Sequence, residues 1–371
     1  MKRFIIIMAL LLTLGIVGAL PGWAQLLSSQ RQPVLVSASG YYQRYTDEGR
    51  RLSEVSFPLT VYLPMGRQFG LSVQTGQARA SAEDLESVSG FDDVQVTLNH
   101  ARRIGVHSLV FSVGANLPSG ERELTRAEFQ TSVVLSRNFF PFHVPSFGQG
   151  FSVSPGLTWA MPLSDDFIVG AGIVARFQGS YKPLEDMEES FTPGDEILFA
   201  GGLEVRITPT MTLSADLTHT DYQADKIGDV EQFSLGSQTT VRLRGRAYFD
   251  FDEVRLVVHY LRQGESRILD EEGRTARQTV PNQSFILASY RKRLSEVLYV
   301  TALGQGRLFG ETEGFRSLLG GDLSTDSKTM VDLGLMPEVQ LTASVRLIGR
   351  FLYTFGDITG VEGGGGLTLT L

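Results

Sequence analysis

Apolar and polar side chains alternate along most of this chain. In residues 151–181, FSVSPGLTWAMPLSDDFIVGAGIVARFQGSY, the odd-numbered positions are apolar on both sides of a short turn, whereas the even-numbered positions are mostly small or polar. A period of two predicts β-strands with one apolar face. The same alternation predicts sixteen strands, at 34–45, 53–64, 67–78, 91–103, 106–117, 150–161, 166–181, 196–208, 210–222, 234–249, 253–263, 283–292, 296–309, 328–337, 340–355 and 360–371.

The lengths of the strands and of their connections indicate a membrane barrel. Most of these strands are longer than the roughly 5–6 residues usual in soluble proteins, and they match the roughly 9–11 residues that a tilted strand needs to cross a bilayer. Connections after even-numbered strands are tight, and most connections after odd-numbered strands are long, which is typical of an outer-membrane barrel with both termini on the periplasmic side. The tight ones lie around Gly66, 103–105, 162–165, Pro209, 250–252, 292–295 and Glu338, and the long ones include 79–90, 118–149, 182–195, 264–282 and 310–327.

A closed barrel explains why one face is apolar and the other is not. In lipid every backbone N–H and C=O needs an internal partner, so strands can span only as a closed barrel with an apolar outer face and a polar lumen. A secreted soluble β-sandwich or solenoid, with the same apolar face turned into a core, would show the same alternation. The predicted class is therefore all-β, a single transmembrane antiparallel β-barrel of about sixteen strands. Aromatic residues on the apolar face beside short turns fit a membrane interface: Trp159, Phe167, Phe69 and Phe249.

Both ends of the chain fit export to an outer membrane. Lys2 and Arg3, an apolar run over 4–20 and Ala24 form the pattern of a secretory signal peptide over 1–24, which leaves 25–371 as the barrel. The alternative for this segment is a single transmembrane anchor. The apolar C-terminal positions resemble the signal that the barrel-assembly machinery recognises, although Leu371 stands where an aromatic residue is usual.

Composition and motifs argue against catalysis. The chain has no cysteine, which excludes a thiol nucleophile and a cysteine-ligated metal, and its net charge of −8 argues against nucleic acid as a partner. None of the five histidines has a metal-ligand spacing or stands beside a nucleophilic serine, so neither an enzyme nor a cofactor or metal site is expected. GAGIVA at 170–175 matches a dinucleotide fingerprint, but the strand alternation continues through it, which predicts small lumen residues instead. The glycines at 363–366 predict either a bend or a crowded place in the last strand.

Charged residues share the parity of the lumen face. An arginine facing lipid at the midplane costs roughly 2–4 kcal/mol, so energy and parity agree. These side chains either fill the barrel as an arginine–carboxylate network or line an aqueous path. The lumen candidates are Arg176, Arg206, Arg242, Arg244, Arg246, Arg255, Arg346 and Arg350, with Glu204, Asp216 and Asp332.

The third long loop, 118–149, combines a helix signal with phenylalanines. Thr125 and Glu128 form a capping-box pattern that predicts a short helix from Arg126 to about Arg137. The apolar residues either pack against this helix and the barrel rim or form an entry site for a hydrophobic ligand. The candidates are Phe129, Val133, Phe139, Phe140, Phe142 and Phe147. The acidic segment 182–196 either binds divalent cations that bridge lipopolysaccharide or is simply solvated.

Several stretches resemble outer-membrane transporters for hydrophobic compounds, the FadL-like and meta-pathway (aromatic-degradation) superfamily. They are FDDVQVTLNHARR, VGANLPSG, the helix-bearing loop, GQGFSVSPGLTW, GSYKP and FTPGDEILFAGGLEV. The resemblance implies fourteen strands, an N-terminal hatch in the lumen, and ligand capture by loops that correspond to 118–149 and 182–195. Residues 25–33 are too few for a hatch, and alternation favours sixteen strands over fourteen.

The function expected from these observations is passage of small, hydrophobic molecules through a channel in the outer membrane. Its partners would be outer-membrane lipid and lipopolysaccharide, the small hydrophobic molecule and the barrel-assembly machinery. The alternatives are a general or anion-preferring diffusion porin, and a structural or secretion-assembly barrel.

Overall fold

The computed structural model describes residues 33–120, 123–135, 139–144, 148–270, 273–313 and 324–371, without the side chains of 269–270 and 273–275. The predicted signal peptide lies outside the described residues. The strands are β1 Leu35–Asp47, β2 Arg50–Met65, β3 Phe69–Ala82, β4 Val88–Phe91, β5 Val94–Ile104, β6 His107–Leu117, β7 Ser152–Ser164, β8 Phe167–Gln178, β9 Phe191–Thr192, β10 Glu196–Thr208, β11 Met211–Tyr222, β12 Ala224–Ile227, β13 Val230–Ser234, β14 Gln238–Phe249, β15 Asp252–Gln263, β16 Ser266–Asp270, β17 Gly273–Arg277, β18 Gln283–Arg293, β19 Leu298–Phe309, β20 Lys328–Thr342, β21 Val345–Gly356 and β22 Ile358–Thr370; the helix α1 is Arg126–Leu135.

The long strands close into one antiparallel barrel of sixteen strands. Strand β22 pairs with β1 along its whole length, from Leu35 opposite Thr370 to Asp47 opposite Ile358. Strands β4 and β5 both pair with β3 and make one barrel strand that Asp92 and Asp93 interrupt. The prediction of sixteen strands is confirmed, and the alternative of fourteen is wrong. Closure leaves no free sheet edge, as strands in lipid require.

One predicted turn is wrong, and its reason is local. Strand β20 continues through Pro337 and Glu338, where the sequence predicted a turn, and it ends at Thr342. Pro337 pairs with Val300 of β19 but has no partner in the ladder with β21. A proline is tolerated there because its missing N–H falls in a gap of the ladder. At the opposite end of the barrel, Glu48 and Gly49 have positive φ and close β1 to β2 in a two-residue turn.

The outer surface is apolar and carries aromatic rings near the short turns. Large apolar side chains on the outward face, such as Phe57, Leu335 and Phe351, are each more than half exposed. Near the short-turn end, Trp159 Nε1 donates to His107 Nδ1 over 3.1 Å, and the Phe69 ring lies 4.4 Å from the His100 ring. Such a girdle marks the membrane interface in barrels of this type. In the described residues no helix is long and apolar enough to cross a membrane.

The long connections fold over the end of the barrel that lies opposite the short turns. This part, which we call the cap, comprises α1 and five short strands that form a separate sheet in the order β17-β16-β13-β12-β9. The predicted helix is present as α1, and its capping box is complete. Thr125 N donates to Glu128 Oε2 over 2.9 Å, and Glu128 N donates to Thr125 Oγ1 over 3.2 Å. Beneath the sheet and helix lies an apolar cluster that includes Phe191, Ile227, Phe233, Ile268, Phe129 and Leu135.

Candidate functional site: the lumen and its plug

Residues 139–144, which we call the plug, leave the β6–β7 connection and cross the lumen. Counted around the ring of sixteen strands, β19 and β20 lie opposite β6 and β7. The plug reaches that far wall, because Arg307 Nη1 of β19 donates to the Phe139 carbonyl oxygen over 3.2 Å. It also reaches β1, where Gln43 Nε2 donates to the Pro141 carbonyl oxygen over 2.7 Å. The third long loop therefore folds inward, across the end of the barrel that bears the long loops.

A buried carboxylate of the wall holds the backbone of the plug. Glu54 Oε1 of β2 accepts hydrogen bonds from His143 N over 3.0 Å and from Val144 N over 3.1 Å. Glu54 is buried, and in the described part of the chain its other oxygen, Oε2, has no hydrogen-bond partner. A buried charge is costly unless it is paired or hydrogen-bonded. The two plug amides are thus the main compensation that Glu54 receives.

The phenylalanines of the plug pack instead of presenting an open pocket. Phe139, Phe140 and Phe142 are 3%, 5% and 6% exposed. The Phe142 ring lies 5.4 Å from the Tyr45 ring, and the Phe139 ring lies 5.8 Å from the Phe309 ring, both in edge-on contacts. The apolar cluster that contains these three also includes two other predicted ligand residues, Phe129 and Val133. The last of the set, Phe147, lies outside the described residues.

Glycines in β22 make room for the tyrosines on which the plug rests. The His143 ring stacks on the Tyr41 ring with centroids 4.0 Å apart. A Cβ at Gly364 would overlap the Tyr41 ring, and a Cβ at Gly360 would overlap the Tyr45 ring. The predicted crowding in the last strand is therefore present, and its cause is two aromatic rings of β1 that lie against the inner face of β22.

Asp93, at the barrel rim, binds both ends of the 118–149 loop that contains the plug. Asp93 Oδ2 accepts from Asn116 Nδ2 over 2.7 Å and from Gln149 N over 2.6 Å, while Asp93 Oδ1 accepts from Gly120 N over 2.8 Å. Gly120 lies near the start of the loop and Gln149 near its end. This aspartate sits where β4 gives way to β5, so the break in that strand creates the anchor.

All eight predicted lumen arginines lie on the inward face of their strands. The register shows this directly, since exposed apolar residues such as Val241 and Leu243 alternate with them. Several keep large exposed fractions: 55% for the Arg206 side chain, 49% for Arg255 and 45% for Arg246. These three arginines lie within three residues of the strand ends at the short turns, so the fractions measure access to water at that mouth of the barrel.

Most of these arginines meet a carboxylate. Arg244 Nη2 lies 2.5 Å from Asp216 Oδ2, Arg350 Nε lies 2.5 Å from Glu362 Oε1, and Arg176 Nη1 lies 3.7 Å from Glu196 Oε1. Arg242 faces Asp216 across the β11–β14 ladder, Glu204 faces Ser214, Arg206 lies 3.8 Å from Asp166 of a short turn, and Asp332 lies 2.9 Å from Arg307.

Sequence reasoning missed more than half of the carboxylates on this wall. It counted three inward carboxylates, whereas Glu54, Glu196, Glu253, Glu338 and Glu362 also face the lumen. Parity would have found Glu253, which stands two residues before Arg255 in the same strand. Glu338 was missed because it was assigned to a turn. The expected excess of arginine over acid is therefore smaller than the sequence count.

The acidic outer segment shows no metal site. Among the described residues, no group of three or more aspartate, glutamate or histidine side chains could hold a metal ion. In this segment Asp186 Oδ2 lies 2.6 Å from Arg126 Nε of α1. In the cap, burial raises the pKa of Asp225 to about 7, an effect that a hydrogen bond from Gly194 N partly offsets and the nearby Glu196 reinforces.

Comparison with known proteins gives the fold class and no family. No family model and no curated protein matches this chain. Among solved structures, CdiB from Acinetobacter baumannii aligns with a TM-score of 0.50 and 10% identity over 91% of this chain and 60% of that chain. An outer membrane channel from Pseudomonas putida F1 aligns at 0.43 and 15% over 70% and 95%, and a loop-deletion mutant of OmpT, an outer membrane protein of Vibrio cholerae, at 0.43 and 10% over 92% and 100%.

Of these three, only the alignment with CdiB reaches a TM-score of 0.50, and at 10% identity it shows a likeness of fold alone. Membership of the FadL-like superfamily stays a prediction.

Proposed function

We propose that this protein is an outer-membrane channel for small molecules, closed in this state by its plug. One observation carries the proposal: residues 139–144 cross the lumen at the long-loop end, while inward-facing arginines stay exposed to water at the short-turn mouth. Barrels of about sixteen strands are wide enough for an aqueous channel. A barrel with only a structural or assembly role would not need a plug across a lumen that water enters.

The orientation of the barrel in the membrane follows from the position of the short turns at one end and the long loops at the other. The short turns would face the periplasm, and the cap and plug would face the outside. Closure from the outside is then set by the contacts of Glu54, Gln43 and Arg307 with the plug backbone. Opening requires these few hydrogen bonds and the phenylalanine cluster to separate, while the barrel ladders remain intact.

A disulfide that fixes the plug tests this proposal, because the natural chain has no cysteine to interfere. A Cβ at Gly76 of β3 would lie 3.4 Å from Val144 Cγ2, so Gly76→Cys with Val144→Cys places two sulfurs within bonding reach. In planar bilayers we expect openings from the reduced protein and loss of conductance after oxidation. The single-cysteine variants are the control and should not respond to oxidant. A fully cross-linked protein that conducts like the reduced one would show that the plug is not the gate.

A hydrophobic cargo is the finer candidate, and the apolar cluster at the mouth favours it. A molecule of that kind would replace contacts that Phe139, Phe140 and Phe142 now make with Tyr45 and Phe309. The test is saturable binding of the apolar dye N-phenylnaphthylamine to the purified barrel. Binding should be lost in Phe140→Asp and kept in Val230→Asp, whose side chain is exposed on the cap. Equal binding by both variants would argue against this cargo.

A further inference from the structure

Two carboxylates in the lumen each bridge a pair of arginines near the short-turn end. Glu253 Oε1 lies 2.8 Å from Arg246 Nε and also bonds Arg255, whose Nη2 donates to Glu253 Oε2 over 3.0 Å. Glu338 Oε1 lies 2.7 Å from Arg291 Nη2 and 3.5 Å from Arg346 Nη1. We call these the Glu253 triad and the Glu338 triad. With two guanidinium groups to one carboxylate, each triad carries a net charge of +1.

Within each triad the arginines cover the carboxylate. The Glu253 and Glu338 side chains are 6% and 18% exposed, whereas Arg291 and Arg346 are 33% and 37% exposed. Arg246 and Arg255 are more open still. A solute in the lumen therefore meets guanidinium N–H groups first, and the negative charge that offsets them lies behind.

The opposite wall has no carboxylate to cancel this field. Along the described strands β3, β5, β6 and β7, the inward-facing side chains are uncharged apart from Arg103 of β5, which faces Ser108 across the ladder. The triads belong to β14, β15, β18, β20 and β21, on the other side of the ring. The electrostatic potential at this end of the lumen is therefore positive; the triads supply it from one side, and Arg103 adds to it from the other.

We propose that the two triads are an anion-binding and selectivity site at the inner mouth, so that the channel prefers small anions. Rings of arginine favour anions in pores because fixed positive charge lowers the free energy of an anion at the narrow part of the path. Guanidinium also binds carboxylate and phosphate with two parallel hydrogen bonds. The buried glutamates keep the arginines in place, since unpaired arginines this close would repel one another. The inference rests on the proposed channel function, and it favours small anions over the hydrophobic molecule as the cargo of this lumen.

Charge changes in opposite directions test the site. Arg246→Gln with Arg346→Gln makes both triads neutral and leaves each glutamate one arginine partner, whereas Glu253→Gln with Glu338→Gln doubles their positive charge. The zero-current potential in a KCl gradient gives the chloride-to-potassium permeability ratio. Each pair of substitutions is made in the Gly76→Cys, Val144→Cys protein and measured under reducing conditions. We expect a roughly threefold or larger fall in this ratio for the arginine variant and a rise for the glutamine-for-glutamate variant. Arg262→Gln with Lys292→Gln, on the outward faces of β15 and β18, is the matched control.

A second readout does not depend on conductance. Phenylglyoxal modifies accessible arginines, and mass spectrometry of the folded barrel in detergent would follow Arg255 and Arg291. Excess inorganic phosphate should slow modification of these two several-fold and leave Arg262 unchanged. Absence of protection, or permeability ratios equal in all variants, would overturn the anion site. Absence of conductance from every form, with protection intact, would overturn the proposed channel and leave the anion site standing.

Discussion

At the scale of single residues, the inner face of β22 shows how backbone space is used. Gly364 has no room for a side chain, since a Cβ there would overlap the Tyr41 ring and lie 2.6 Å from the Gly40 carbonyl oxygen. The ring that fills this space stacks on His143 of the plug. The absence of a side chain at Gly364 therefore affects both the β1–β22 pairing that closes the barrel and the plug that closes the lumen.

Adding one methyl group at this glycine should therefore do two things. Gly364→Ala forces Tyr41 and the β1 backbone apart, which we expect to cost about 1–3 kcal/mol of unfolding free energy and to raise the frequency of channel opening. Gly363→Ala is the matched control, because a Cβ there would meet nothing closer than Phe351 Cδ1 at 3.9 Å. Urea unfolding in phospholipid vesicles, together with bilayer recordings, measures both effects. Equal unfolding free energies and equal opening frequencies of the two variants would contradict this role of Gly364 in the β1–β22 pairing.

Glu54 allows a comparison of acceptor and charge at one position. Glu54→Gln keeps an oxygen that can accept from His143 N and Val144 N and removes a buried charge, so the plug should stay closed. Glu54→Ala removes the acceptor of Val144 N, which costs roughly 1–3 kcal/mol for a buried group, whereas His143 N keeps its bond to Gln43 Oε1 at 3.1 Å; the plug should open more often. Open probability in bilayers measures the difference. Equally frequent opening of the two variants, both above the wild type, would show that the charge, not the acceptor, holds the plug.

At the scale of elements, the cap contains a titratable group placed to report on its folding. Asp225 is the second residue of β12. Its Oδ1 accepts from Gly194 N over 2.7 Å, and its Oδ2 is buried with no hydrogen-bond partner among the described residues. Burial raises the pKa of Asp225 to about 7, against about 3.9 in an unfolded chain. The protonated form therefore favours the folded cap.

The sign of the pH dependence follows from these two values. A raised pKa contributes stability that is full below about pH 4 and is lost as the pH rises through about 7. We expect hydrogen exchange over residues 224–234 to be slower at pH 6 than at pH 8 after correction for intrinsic rates. Asp225→Asn should exchange slowly at both values. Asp229→Asn, in the exposed turn between β12 and β13, should keep the wild-type dependence. A wild-type cap that is more protected at pH 8 would contradict the assignment.

At the scale of the whole molecule, alternation predicted the barrel well because it is a local signal. Sixteen strands, their inward arginines and α1 depend on neighbours two to four residues apart, and all of them could be predicted from the sequence. The plug could not be. Its bonds join His143 to Glu54 and Phe139 to Arg307, across 89 and 168 positions of sequence, and no local pattern encodes such pairings. The phenylalanines of 139–142 showed that something apolar had to be covered, but not which wall would cover it.

The barrel as a whole depends on the assignment of its two faces, and adjacent residues of β20 can test it. Leu335 is 54% exposed on the outward face near the middle of the strand, and Met336 faces the lumen. Leu335→Arg places a guanidinium in hydrocarbon, which should cost roughly 2–4 kcal/mol near the bilayer midplane. Met336→Arg places the same group in a lumen that already holds exposed arginines beside Glu338, so its cost should be much smaller. Urea titration of both variants folded into phospholipid vesicles gives the two unfolding free energies. A larger cost at Met336 than at Leu335 would mean that the apolar face does not contact lipid, and the channel, the plug and the anion site would all lose their basis.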